Sequence, residues 1–160
     1  MKQLDYCKHK HNLLKNNVND LHIYNRVDNR RKIPEYQECG FGTIFSTTLN
    51  EMYNNWYKDK KRVYREDLYK INGLGLAIWY MDDGSKCKDG GAILCTNCFD
   101  MEDLLLIQQM FKEKFNIIVN IYDKSNELYI PSKEFVKFRN LIEQYIEPSM
   151  AYKLGPSKTA

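Results

Sequence analysis

The chain has 160 residues, 43% of them hydrophobic and 28% charged, with a formal net charge of +3. That length fits one domain or two very small ones, and the composition is too apolar for a disordered chain. No apolar run approaches the roughly 18 residues of a membrane span, and "MKQLDYCKHK" lacks the apolar core of a signal peptide, so the expected setting is intracellular, not secreted, and without a membrane partner.

From Met1 to Lys15, Leu4, Cys7, His11 and Leu14 recur at helical spacing, which predicts an amphipathic helix ended by "NNVND". "LHIYNRVDNR" then alternates, with Leu21, Ile23 and Val27 on one face and His22, Tyr24, Arg26, Asp28 and Arg30 on the other. This predicts a half-buried strand whose wet face is basic and aromatic. Pro34 and "ECGFG" bracket a turn, and a second strand is expected over Phe41 to Ser46. "STTLNEMYNNWYKDKK" opens on a Ser/Thr cap signal and carries Leu49, Met52, Tyr53, Trp56 and Tyr57 at 3/4 spacing, a second helix. Residues 1–74 hold 14 Lys+Arg against 9 Asp+Glu, whereas residues 75–160 hold 10 against 12. Two clusters, "RVDNRRK" and "KDKKRVYR", carry most of the excess. Such clusters often only solvate a surface; interleaved with Tyr and Asn they also suit a polyanion.

Tyr69 to Met81 reads as a strongly apolar helix running into "DDGSK". "KDGGAILCTN" has the pattern of a hairpin around Asp89-Gly90-Gly91. Its "CTNC" has CxxC spacing but no second knuckle and no His close by in sequence, so strand cysteines beside a turn are the ordinary reading. Five cysteines in a chain of this size also argue against a disulfide framework. "DMEDLLLIQQMFKEKFN" is an amphipathic helix with Asp100 as N-cap. "IIVNIYDKSNELYIP" is a second hairpin turning at Lys124-Ser125-Asn126, and "SKEFVKFRNLIEQYI" a closing helix stopped by Pro148. Residues 73–154 therefore run helix, hairpin, helix, hairpin, helix. Residues 1–68 run helix, two strands, helix, like the back end of the same unit, and 155–160 form a tail.

Asp82 and Asp83 stand at the C-terminal end of the apolar helix, where the helix dipole already places partial negative charge. Local stability does not explain them there. A divalent cation does, because Mg²⁺ binds through one or two carboxylates plus phosphate oxygens and water. The competing reading is a polar turn that closes the helix.

"GLGLAIWYMDDGSK" resembles the motif of the LAGLIDADG homing endonucleases, in the form with Trp before Asp-Asp-Gly-Ser. "LCTNCF", "MFKEKFNI", "LYIPSKEFVKF" and "IEPSMAYKL" follow in the order of one full repeat, and residues 1–68 more loosely resemble the tail of a preceding one. The resemblance implies an α+β fold of αββαββα repeats, a curved antiparallel sheet with helices on its convex side, and nucleic acid on its concave face. It implies that two such helices pack together, each giving its last acidic residue to a centre that cuts double-stranded DNA with divalent metal. It puts Asp83 in the metal-ligand role with Asp82 beside it, the basic residue near the scissile phosphate at Lys133, and the water-orienting position at Asn97. Lys86, Lys88, Asn120, Tyr122, Lys124 and Tyr129, with His22, Tyr24, Arg26, Arg30 and Arg31 from the first half, become the nucleic-acid-binding candidates.

The family needs two acidic helix ends per site and this chain carries one. Three readings follow: a homodimer through the 73–84 helix; a missing N-terminal half supplied in trans; or a non-cleaving relative that binds structured RNA as a maturase or a component of a ribonucleoprotein. A small protein-interaction module is a reading from another class, and it leaves the basic strand face unexplained. Richness in Asn, Lys, Tyr and Ile suggests an AT-rich genome, such as a mitochondrion, a plastid or a phage in its host cell.

Overall fold

The computed structural model describes residues 3–30, 32–57 and 60–156. Its internal packing falls into two units, residues 1–50 with 147–150 and residues 51–146 with 151–160.

In the first unit, α1 (Leu4–Leu14) buries Tyr6, and β1 (His22–Val27) pairs antiparallel with β2 (Glu35–Gly40). The second strand runs into "ECGFG" and ends at Gly40 rather than starting at Phe41; of the expected 41–46 strand, only an isolated bridge between Val18 and Thr43 forms. A second expectation also fails. All of β1 is exposed, Ile23 at 47% and Val27 at 68%, because β1 and β2 form a two-stranded ribbon instead of one edge of a covered sheet. Alternation fixes which residues share a face but not whether anything packs on it.

Helix α2 (Thr47–Tyr57) lies within the stretch expected to be helical, and a short α3 (Arg65–Leu68) follows. The apolar helix, α4, starts at Gly73 instead of Tyr69 and runs to Asp83. Asn72 caps it, its side chain accepting from Gly75 N at 3.0 Å. Beyond it come β3 (Gly84–Lys86), β4 (Ala92–Leu94), α5 (Met101–Phe115), β5 (Asn120–Tyr122), β6 (Glu127–Ile130) and α6 (Ser132–Ile142). This is the αββαββα order expected. The strands form an antiparallel sheet ordered β3-β4-β6-β5. The turns carry the backbone that their residues favour: Gly90 at φ +91° and Asn126 at +52°. Asp100 caps α5 by accepting from Asp103 N.

The core lies on one face of that sheet. Ala92, Leu94, Leu128 and Ile130 point into it, against Leu76, Tyr80, Phe111, Phe135 and Phe138. The Tyr80 ring sits edge-on to Phe138 at 5.5 Å, and Phe111 lies 6.2 Å from Phe138. Two 3-10 helices, Glu143–Tyr145 and Pro148–Leu154, follow α6. Glu134 ties α6 to the approach to β5: its carboxylate accepts from Ile118 N at 3.0 Å and from Lys137 Nζ at 2.9 Å. The Ile118 amide first, then Lys137, hold this carboxyl below the usual range. A depressed folded pKa contributes stability that is complete above the ordinary glutamate range and lost as pH falls through the folded value. Glu134→Gln therefore flattens the dependence of unfolding free energy on pH below about pH 4.5; a slope equal to wild type would refute the linkage.

Candidate functional site

Helix α4 buries Gly73, Leu76, Ala77, Tyr80 and Met81. Its other side is half-covered and forms two rows at i, i+4 spacing: Leu74 and Ile78 lead to Asp82, and Gly75 and Trp79 lead to Asp83. Both carboxylates are exposed at the end of these rows. The chain then passes directly from helix to strand. Gly84 N donates to Tyr80 O, closing the helix, and Cys95 N donates to Asp83 O at 3.0 Å, extending the β3–β4 ladder by one step.

The basic group at this helix end is Lys153, from the second 3-10 helix. Its Nζ donates to Asp82 O at 3.2 Å and to Gly84 O at 2.9 Å, and Tyr80 Oη returns a bond to Lys153 O at 2.9 Å. Burial lowers the Lys153 pKa, opposed by the nearby charges of Asp82 and Asp83. The ammonium therefore answers both the carbonyl end of the helix and the acidic pair. Sequence reasoning chose Lys133, and the structure does not bring Lys133 here. Gly84 pairs with Leu94 and Leu94 with Leu128, while Lys133 follows Ile130 at the opposite end of the same strands. The signal for Lys153 was present in "IEPSMAYKL", but its partners lie about 70 residues earlier in the chain.

Asn97 lies two residues past Cys95, exposed, with its amide nitrogen donating to Ser125 O at 2.6 Å. Thr96 Oγ1 donates to Asn126 O at 2.7 Å, and Asn126 Nδ2 to Phe99 O at 3.1 Å, so this loop is pinned to the β5–β6 turn. Cys95 adds a thiol whose pKa is raised by burial and then by the charges of Glu127 and Asp83. Among the described residues, no three His, Cys, Asp or Glu side chains form a metal cage. The donor set offered is a pair of exposed carboxylates at a helix end. It fits a hard cation that completes its shell with water and phosphate oxygens, and it does not fit a closed structural site.

The other sequence candidates divide by face. On the side of the sheet away from the helices lie Ser85, Ile93, Tyr129 and Asn120, in register across all four strands, with Tyr122 beside them. Tyr122 and Tyr129 stack at 5.2 Å, and Tyr129 Oη donates to Asp89 at 2.7 Å, which pushes the phenol up to about 12. Lys88 and Lys124 are exposed in the two hairpin turns. Lys86 is a correction. It pairs with Ala92, on the core side, and its ammonium lies 4.1 Å from the Phe135 ring centroid, donating to Gly90 O. On the ribbon, His22, Tyr24 and Arg26 share one exposed face. Arg26 bonds Glu38 at 2.9 Å, and Arg30 bonds Asp28 through two nitrogens. Arg31 lies outside the described residues.

Residues 1–138 match the LAGLIDADG DNA endonuclease family. A cytochrome b mRNA maturase of Debaryomyces hansenii is 34% identical, aligned over 94% of this chain and 60% of the maturase. An intron-encoded endonuclease of Dictyostelium discoideum is 28% identical over 77% of this chain and 80% of that protein. The solved structure of the homing endonuclease I-WcaI bound to its DNA recognition sequence is similar at a TM-score of 0.74 and 25% identity, covering 93% of this chain and 70% of that one. The chain thus spans 60% of the length of the Debaryomyces maturase. The family match over most of the sequence and the helix-hairpin-helix-hairpin-helix order of residues 73–142 agree: this chain belongs to the LAGLIDADG DNA endonuclease family.

Proposed function

We propose that the chain is a nucleic-acid-binding protein of the homing-endonuclease type, encoded within an organelle intron, that cuts duplex DNA once a second acidic helix end joins its own. The observation that carries this reading is the end of α4: two exposed carboxylates, a lysine at the same end, and a half-covered apolar stripe leading to them. Asp83, with Asp82 beside it, would hold Mg²⁺; the bound metal supplies Lewis-acid stabilisation of phosphate oxygens and an acidified water. Lys153 supplies positive charge where the departing oxygen gains negative charge, the role that sequence reading gave to Lys133. Asn97, on its pinned loop, would orient water. Residues 73–154 act as the complete repeat and residues 1–68 as part of another. A second copy, or a segment supplied in trans, brings the other carboxylate by packing on the Leu74–Ile78 and Gly75–Trp79 rows.

A second reading is favoured by a specific observation, the 34% identity to an mRNA maturase. In that reading the chain binds structured RNA, within a ribonucleoprotein, and does not cut. One experiment separates the two. The purified chain is incubated with Mg²⁺ and fragmented host DNA, and its mass in solution is measured with and without duplex. Cleavage with a doubled mass supports the nuclease. A monomer that binds structured RNA and never cuts supports the maturase reading. A chain that binds neither nucleic acid refutes both.

The ribbon and the open face of the sheet supply the contacts to phosphate and bases in either case. Arg26 and Arg30 already have carboxylate partners, so a phosphate competes with Glu38 and Asp28 or takes the guanidinium donors those pairs leave. Replacing both arginines with alanine should weaken binding to all sequences and lower the salt slope by about two units at most. An unchanged slope would make this cluster a solvated surface.

A further inference from the structure

We propose that Arg139 is a positioning residue for Lys153, acting through the backbone that carries the lysine. The inference rests on the reading of the α4 end as the functional site. Arg139 projects from α6 with its side chain only 19% exposed. Its Nη1 donates to three successive carbonyls, Leu154 O at 3.4 Å, Gly155 O at 3.4 Å and Pro156 O at 3.3 Å. Leu154 O is a carbonyl left unsatisfied where the Pro148–Leu154 3-10 helix ends, and Gly155 O and Pro156 O belong to the turn that follows. Glu143 Oε2 receives Nε of the same guanidinium at 3.4 Å and sets its orientation.

The turn held by Arg139 starts at the residue after Lys153. On the other side, Tyr80 Oη fixes Lys153 O. The lysine backbone is therefore gripped from α4 and from α6 together, and its ammonium is aimed back at Asp82 O and Gly84 O. Gly155 sits at φ +66°, a left-handed conformation, and a β-carbon added there would lie 2.9 Å from Lys86 Cδ. Lys86, displaced from the open face of the sheet, thus forms part of the wall behind this turn.

The physical case is entropic. A lysine has four rotatable side-chain bonds and three donors without a fixed fork, so its ammonium is placed only as well as its backbone. Arginine suits the clamp because its rigid planar group holds the Glu143 carboxylate through Nε while Nη1 holds the carbonyls, a fixed two-sided fork that a lysine at 139 lacks. Groups that orient a reacting side chain without touching substrate are commonly worth about 10- to 100-fold in activity.

The test uses the full chain labelled with 13C at lysine Cε, with the Lys153 signal assigned by its loss in Lys153→Arg. In wild type this signal should be displaced from that of solvent-exposed lysines. In Arg139→Gln it should move to the exposed position while amide signals from α4 and α5 stay in place. Gly155→Ala should reproduce the change with Arg139 intact, and Arg139→Lys should not restore the wild-type signal. Where the protein cuts, Arg139→Gln should lower the single-turnover rate about 10- to 100-fold with duplex affinity retained. A Lys153 signal unmoved in both Arg139→Gln and Gly155→Ala overturns the proposal. A wild type that never cuts counts against the nuclease reading alone, because the lysine signal still decides the role of Arg139.

Discussion

Asp83→Asn should remove the metal-dependent cleavage proposed for this chain and leave nucleic-acid binding in place. The loss should be about a thousandfold in single-turnover rate, which corresponds to roughly 4 kcal/mol of transition-state stabilisation. The amide keeps the size of the carboxylate, so Cys95 N still has Asp83's backbone carbonyl, and the β3–β4 ladder is untouched. What disappears is the charged oxygen that would serve a hard cation as ligand in the proposed site. A carboxylate at a helix C-terminus is normally a liability of about 0.3–1 kcal/mol, which alone would make Asp83→Asn stabilising. Lys153 changes that expectation: its ammonium sits at the same helix end and is attracted by Asp82 and Asp83. The two effects oppose each other, so the thermal midpoint should barely move. Cleavage and binding are read in parallel titrations, and stability by calorimetry. If Asp83→Asn cuts as fast as wild type, Asp83 is a helix-closing residue and no metal ligand. If wild type already fails to cut while binding RNA, the acidic end has outlived its chemistry.

Local chemistry carried most of the fold into the sequence. Asp100 capping α5, and Gly90 and Asn126 in their turns, are each decided by neighbours within a few residues, and those elements stand where expected, while α6 begins where expected but gives way to a 3-10 turn after Ile142, short of Pro148. The start of α4 was misplaced by four residues because Tyr69 to Asn72 intervene as the end of a separate helical turn and its exit. Errors of another kind came from long range. Strand β3 is three residues long, so its alternation could not say that Lys86 faces Phe135 instead of solvent; Ala92 and Ile130 decide it. Nor could the pattern of β1 reveal that Ile23 and Val27 remain exposed, since that depends on what covers a ribbon. The candidate site followed the same division. Asp82 and Asp83 were visible because the motif is contiguous. Lys153 was not, because hydrogen bonds to backbone carbonyls about 70 residues away leave no pattern in its own neighbourhood.

The glycine of "DDG" makes the second large prediction. Gly84→Ala should destabilise the protein by about 3 kcal/mol, or roughly 10 °C in thermal midpoint, the upper end of ordinary overpacking costs. Backbone conformation is not the cause. Gly84 has φ −90° and ψ 151°, extended angles open to any residue, and it enters β3 directly instead of closing the helix in a left-handed turn. The cause is Tyr80. A β-carbon at 84 would lie 2.5 Å from Tyr80 O and 2.6 Å from Tyr80 Cε2, with Cδ2 closer still. That ring cannot give way: it is fully buried, wedged against Phe135 and Phe138, and its hydroxyl is held by Lys153 O. Either the ring moves, releasing the lysine, or the helix-to-strand junction moves, carrying Asp83 with it. Both routes damage the site, so the variant should lose cleavage beyond what its unfolding accounts for. A double-mutant cycle with Tyr80→Ala checks the mechanism. Tyr80→Ala alone costs about 3–5 kcal/mol, but with the ring gone the added methyl meets only the carbonyl of residue 80, and the pair should be less destabilising than the sum by at least about 1 kcal/mol. Strict additivity would mean that something other than the Tyr80 ring requires glycine between the acidic pair and the first strand.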